Sequence, residues 1–135
     1  MVSVMALAGC SLTATMVPVE GPLSQQRPLP TLPVRVAGIL GNSGDLTFTT
    51  PDGASCQGRW VSVGPGVIGG SHGLLSQYGN YLSGYSATSG NGGQALATCP
   101  TTGRTLQLEF LTRPGTAHGF GIGKDNEANI YRFVF

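Results

Sequence analysis

Short runs in which apolar and polar residues alternate constrain the fold of this chain most strongly. Between Arg104 and Leu111, every second residue is large and apolar, namely Leu106, Leu108 and Phe110. Successive side chains of a strand point to opposite faces, so a period of two predicts half-buried strands. About seven or eight such runs predict an all-β, mainly antiparallel domain that is either a small barrel or a sandwich. Comparable alternation is found over residues 45–50 and 129–135.

Glycine marks the turns and one unusual strand. Pro51-Asp52-Gly53 predicts a hairpin turn, because proline presets φ and glycine accepts positive φ. In Gly119-Phe120-Gly121-Ile122-Gly123 every second residue is glycine, so one face of the predicted strand carries no side chains. This spacing differs from the dinucleotide-binding motif. A bare face instead lets another layer approach closely or lets a barrel bend.

Residues 71–84 interrupt the strand pattern. Leucines and tyrosines recur here at helical spacing, with Ser71 as a possible start and Gly84 as a possible end. Gly73 and Gly79 would each cost a helix about 1 kcal/mol relative to alanine. A short helix and a mobile loop are both compatible with this composition.

The chain divides by composition into three parts. Residues 1–10 are apolar, residues 34–135 carry the strand pattern, and residues 11–33 lie between them with several polar residues. Prolines suppress helix and sheet, so we expect residues 11–33 to form an extended tether to a single β domain. The prolines of this span are Pro18, Pro22, Pro28, Pro30 and Pro33.

The tetrad Leu7-Ala8-Gly9-Cys10 resembles the lipobox of bacterial lipoproteins. The resemblance implies a signal peptide, a lipid such as palmitate on Cys10 and an anchor in the cell envelope. Ser11, where aspartate would favour inner-membrane retention, implies the outer membrane, with the domain facing the periplasm. No basic residue precedes Cys10, so we expect this signal peptide to be truncated. A chance occurrence of the tetrad is the alternative.

The chain has three cysteines. If Cys10 carries lipid, Cys56 and Cys99 remain as a pair, and the oxidising periplasm predicts a disulfide between them. A loop of this length would stabilise the fold by about 4 kcal/mol in the chain-entropy treatment. Two free buried thiols are the alternative.

Composition does not favour several classes of function. Seven basic and six acidic residues give a net charge of +1, which provides no field that would attract nucleic acid. His72 and His118 lie beside glycine without ligands at zinc spacing, and no serine lies in a G-x-S-x-G motif. We therefore predict no catalytic residues, no enzymatic activity and no cofactor.

The pentad Asp125-Asn126-Glu127-Ala128-Asn129 is rich in oxygen atoms. Its weak metal candidates are Asp125, Asn126, Glu127 and Asn129, because calcium binds six to eight oxygen ligands. A hairpin turn explains the same residues, since Asp and Asn bond to their own backbone and accept left-handed conformations. The turn is the favoured interpretation, and no metal site is predicted.

The closing run of the chain, from Gly115 to Phe135, resembles that of small proteobacterial envelope lipoproteins and secreted proteins of unknown function. Elements similar to Gly53–Gly58 and Gln94–Cys99 also occur in that group. The resemblance spans about residues 35–135, brings no established activity and strengthens the pairing of Cys56 with Cys99.

Two classes of function follow as expectations. The first is a non-enzymatic, lipid-anchored β domain that binds an envelope protein or glycan through aromatic residues in the glycine-rich region 64–93, namely Tyr78, Tyr81 and Tyr85. The second is a structural or assembly component of an outer-membrane complex, since a low charge content protects strand edges weakly. An inhibitor of an envelope hydrolase is a related possibility within the first class.

Overall fold

The computed structural model describes residues 11–39, 41–65, 73–82, 91–112 and 118–135. Its eight strands form one closed antiparallel barrel in which each strand pairs with its neighbour in sequence and β8 pairs with β1. The prediction of an all-β antiparallel domain is confirmed. Of the two predicted architectures, the domain adopts the barrel and not the sandwich. The strands are β1 (Ser11–Glu20), β2 (Leu32–Ala37), β3 (Ser43–Thr49), β4 (Ser55–Pro65), β5 (Asn91–Cys99), β6 (Arg104–Thr112), β7 (Gly119–Asp125) and β8 (Ile130–Val134).

The connection between β4 and β5 contains a short helix, which is one of the two alternatives that the sequence left open for this region. Helix α1 (Leu74–Tyr78) continues into a 3₁₀ helix, Gly79–Leu82. The proposed boundaries at Ser71 and Gly84 lie outside the described residues. Among the helices that are described, none is long and apolar enough to cross a membrane.

The predicted tether over residues 11–33 is wrong for most of that span. Residues 11–20 form β1, which pairs with β2 on one side and β8 on the other. Four of the five prolines lie where proline is tolerated: Pro22 begins a 3₁₀ helix, Pro18 lies at a register shift, and Pro28 and Pro30 lie outside the strands. The side chain of Pro33, in β2, is exposed. The alternation of threonine with Ala14 and Met16 supplies the strand pattern, because β-branched residues suit a half-buried sheet surface.

The bare face of β7 points into the barrel. A Cβ on Gly121 would lie 2.4 Å from the Phe133 ring, and one on Gly123 would lie 2.6 Å from Leu108. The opposite face presents Phe120 and Ile122 to α1, which packs over the outside of the barrel. The glycine pattern therefore makes room for large side chains within the barrel, as a structural role for this strand predicts.

One end of the barrel is closed by packed and hydrogen-bonded groups. Leu23, on the 3₁₀ helix Pro22–Gln25, is buried and its backbone N–H donates to Asn129 Oδ1 at 2.9 Å. Gly21, which precedes this helix, has φ +94°, and a Cβ there would lie 2.2 Å from the Ala128 carbonyl oxygen. Only glycine therefore fits where this segment crosses the β7–β8 turn.

Candidate functional site

The opposite end of the barrel contains an apolar cavity of about 210 Å³. Its wall is formed by inward-facing residues from most of the strands, and the wall residues near the middle of the barrel are almost fully buried. The wall includes Met16, Trp60, Ala95, Leu108, Phe110 and Phe133.

Glycines on the inner wall let aromatic rings lie close to the strands. A Cβ on Gly93 would lie 2.0 Å from the Phe110 ring, and one on Gly119 would lie 2.8 Å from the Phe135 ring. The Phe110 and Phe135 rings meet edge to face with their centroids 6.1 Å apart. The two rings fill the space that larger side chains at Gly93 and Gly119 would occupy. Because the rings therefore lie against the strands, the space near the barrel axis stays open and forms the cavity.

Trp60 is the only tryptophan of the chain and lines this cavity. Its indole Nε1–H donates to the Ala37 carbonyl oxygen at 2.8 Å, and its ring meets Phe110 edge to face. Gly44 makes this position possible, since a Cβ there would lie 2.7 Å from the indole nitrogen. The hydrogen bond satisfies the polar group of the ring, so the rest of the indole forms apolar wall.

The mouth of the cavity has a polar side. Ser62, Asn91 and Thr112 line the cavity from the neighbouring strands β4, β5 and β6. Ser62 Oγ donates to the Gly92 carbonyl at 3.4 Å, and Thr112 Oγ1 donates to the Asn91 carbonyl at 3.1 Å. Asn42, before β3, adds a second side-chain amide to the lining.

The other side of the mouth is apolar. It is lined by Leu12 on β1, Val36 on β2 and Phe135 after β8. These side chains are partly buried and pack against the larger hydrophobic cluster inside the barrel, which is the main core. The mouth is therefore amphipathic across its width.

At the closed end, the predicted turn at Asp125–Asn129 is confirmed. The Asp125 carboxylate accepts hydrogen bonds from groups of the protein itself. Asp125 Oδ1 accepts the backbone N–H groups of Glu127 and Asn129, both at 2.9 Å. Asp125 Oδ2 accepts Asn129 Nδ2 at 2.9 Å and the Tyr131 hydroxyl at 2.8 Å. Asn129 and Asp125 are buried.

The other two metal candidates of the pentad also make protein contacts. Asn126 bridges to the β5–β6 turn, and Glu127 pairs with Arg104 at 2.6 Å. No group of three or more His, Cys, Asp or Glu side chains in the described part of the chain has the arrangement of a metal site. The turn explains this oxygen-rich pentad.

The disulfide between Cys56 and Cys99 is also confirmed, and it lies near the same closed end. The two residues face each other across β4 and β5 with their Cα atoms 4.2 Å apart. Both side chains are buried in the main core.

Burial raises the pKa of the Tyr131 phenol above its ordinary value of 10, and its hydrogen bond to Asp125 raises the pKa further. Above about pH 10 the unfolded chain loses this proton while the folded chain retains it, so stability falls as the pH rises. We expect a slope of up to about 1.4 kcal/mol per pH unit above pH 10 in urea unfolding, and a shallower slope for Tyr131→Phe. Equal slopes for the two proteins would contradict this assignment.

The outer face holds two of the predicted partner-binding residues. Tyr78 and Tyr81 pack with Leu82, Ile122 and Ile130 in a second hydrophobic cluster. Lys124 Nζ lies 6.0 Å from the centre of the Tyr78 ring. Tyr81 donates its hydroxyl to Glu20 at 3.3 Å. These rings attach the helical segment to the barrel, and their binding of a protein or glycan stays a prediction.

The Glu109 carboxylate fixes the start of that segment. Its two oxygens each accept one backbone N–H, from Leu74 and Leu75, at 3.2 Å, so a buried acid on β6 caps α1. Sequence reasoning did not find this contact, because it joins residues far apart in the chain.

His118 is exposed. Cys10, His72 and Tyr85 lie outside the described residues.

Sequence reasoning also missed the cavity. The available signal was the small size of inward residues, such as Ala14, Ala95 and Gly93, at positions where an ordinary core carries larger side chains.

Comparisons with protein-family models, curated proteins and solved structures find no match.

Proposed function

We propose that the barrel binds one small, mainly apolar molecule in the cavity beside Trp60. The observation that carries the proposal is an apolar space of about 210 Å³ that is lined by buried aliphatic and aromatic side chains. Eight-stranded barrels are wide enough to hold one small ligand. Ligand sites are typically concave, mostly apolar and equipped with a few polar groups, and the mouth supplies these groups.

The volume sets the size of the ligand. An apolar cavity of about 150 Å³ in a protein core stays dry and binds benzene. By proportion, a space of 210 Å³ holds an apolar group of about eight carbon atoms. The interior is therefore suited to a compact hydrocarbon group.

We also propose that the protein acts in the bacterial cell envelope, attached through lipid on Cys10. The disulfide supports an oxidising compartment, because disulfides persist in secreted and periplasmic proteins. Assignment to the outer membrane rests on the lipobox resemblance and on Ser11. In this setting the barrel is a non-enzymatic binding module. Inhibition of an envelope hydrolase stays a prediction. Assembly into an envelope complex also stays a prediction, but the eight described strands are all paired in the closed barrel and leave no free strand edge to support it.

Trp60 fluorescence tests the binding directly. We expect titration with ethylbenzene to change the emission of Trp60 in a saturable way and to raise the melting temperature. Ala95→Leu, which adds a side chain to the cavity wall, should weaken ethylbenzene binding by about tenfold or more. Gln94→Leu adds the same side chain at an exposed position on β5 and should leave binding unchanged.

The filling variant should remain folded. Occupying empty apolar space commonly raises the free energy of unfolding by about 0.5–2 kcal/mol, unless the added side chain overpacks the core. Ala14→Leu, on the β1 wall, provides a second blocking variant if Ala95→Leu is unstable. Absence of saturable binding by the wild type, or equal binding by a folded blocking variant, would overturn the proposed function.

A further inference from the structure

The amphipathic mouth carries information about the polar part of the ligand. Ser62, Asn91 and Thr112 form its polar side, whereas Leu12 and Val36 form its apolar side. A molecule whose hydrocarbon part fills the barrel would present its other end to this mouth. The chemistry of the polar side therefore selects the head group.

The polar side offers both donors and acceptors. The hydroxyl hydrogens of Ser62 and Thr112 are directed to backbone carbonyls, so their oxygens remain able to accept a hydrogen bond. The side-chain amides of Asn42 and Asn91 make no hydrogen bond within the described part of the chain, and each can donate and accept. This set matches a neutral head group that contains an oxygen or an amide.

The side chains that line the described wall of the cavity are uncharged, since none of them belongs to Lys, Arg, Asp or Glu. The nearby charges on β2, β3 and β4 belong to the exposed residues Arg35, Asp45 and Arg59. Arg59 and Asp45 pair with each other on the outer surface at 3.0 Å. Within the described lining, no side chain offers a counter-charge to an ionised head group, which would lose hydration there at a cost in free energy.

We infer that the ligand is an uncharged amphiphile with a hydroxyl, amide or ester head group and an apolar part of about eight carbon atoms. The apolar part lies between Met16 and Leu108, and the head group lies against Ser62, Asn91 and Thr112. This inference rests on the proposed function and specifies the ligand class of the same cavity.

A matched series of phenyl compounds tests the inference in the full chain at neutral pH, with Trp60 fluorescence and calorimetry as readouts. Ethylbenzene probes the apolar cavity alone, phenylethanol adds a neutral head group, and phenylacetate and phenylethylammonium add opposite charges. We expect phenylethanol to bind at least about tenfold more tightly than either ion.

Variants at the mouth identify the contact. Asn91→Leu should lower the ratio of phenylethanol affinity to ethylbenzene affinity by about fivefold, because one hydrogen-bond partner is removed. Gln94→Leu, on the exposed face of the same strand, should leave this ratio unchanged. Asn42→Leu repeats the test from the loop before β3 if Asn91→Leu does not fold.

The outcomes separate the two proposals. If no compound of the series binds, the proposed function fails. If ethylbenzene binds and phenylacetate or phenylethylammonium binds as tightly as phenylethanol, the cavity stands and the neutral head group is wrong. An affinity ratio that is unchanged in a folded Asn91→Leu protein would also overturn the inferred position of the head group.

Discussion

Replacing Asp125 with alanine is expected to lower the free energy of unfolding by about 3–5 kcal/mol. The Asp125 carboxylate accepts hydrogen bonds from two backbone N–H groups, the Asn129 amide and the Tyr131 hydroxyl. Asn129 and Tyr131 are almost fully buried, so the variant leaves donors without partners where water has little access. Urea unfolding followed by Trp60 fluorescence measures the loss.

Asp52 provides the matched control for this variant. It is exposed in the β3–β4 turn, where its carboxylate accepts the Thr50 hydroxyl, and this hydrogen bond lowers the pKa of Asp52. We expect Asp52→Ala to destabilise the protein far less than Asp125→Ala. Comparable losses for the two variants would show that the Asp125 network does not hold the closed end of the barrel.

Removing the disulfide is expected to have an effect of similar size. Cys56 and Cys99 are separated by 43 residues in sequence, a loop for which chain entropy predicts about 4 kcal/mol of stabilisation. The loop contains the whole β4–β5 connection, which the disulfide restrains in the unfolded chain. We expect the double variant Cys56→Ala, Cys99→Ala to unfold at a clearly lower urea concentration.

Reduction of the wild type is the companion measurement. If the disulfide acts through the unfolded state, reduction should lower the unfolding midpoint about as much as the double variant does. An unchanged midpoint in both experiments would contradict the stabilising role of this pair. A loss after reduction alone would assign the effect to the reductant.

The parts of the fold that depend on local pattern were predictable from the sequence. Alternation over Arg104–Thr112 and the turn at Pro51-Asp52-Gly53 each report contacts between near neighbours, and both occur as expected. The pairing of Cys56 with Cys99 followed from their number and from the expected compartment. These signals do not depend on how distant strands meet.

The errors and omissions have a common physical cause. The proline content of residues 11–33 argued for a tether, yet tertiary pairing of β1 with β2 and β8 prevails over that local preference. The cavity depends on which inward residues closure of the barrel places at the same level, such as Gly93 beside Phe110. No local pattern specifies that arrangement.

The pentad at Asp125 illustrates how chemistry depends on context. Its oxygen atoms suggested either calcium ligands or a turn, and the deciding information lies in the donors that surround them. Two of these donors are backbone N–H groups within the turn itself, and another comes from Tyr131 on β8. A carboxylate occupied in this way has a structural role in closing the barrel.

The methyl resonance of Met16 tests the central proposal most directly. Met16 is fully buried and lines the cavity, and the chain has three methionines, so selective methyl labelling gives a simple spectrum. Addition of ethylbenzene should shift the Met16 methyl signal and produce nuclear Overhauser contacts between that methyl and the protons of the ligand ring. A Met16 signal that stays unchanged while ethylbenzene binds elsewhere, or does not bind at all, would contradict a ligand-binding barrel.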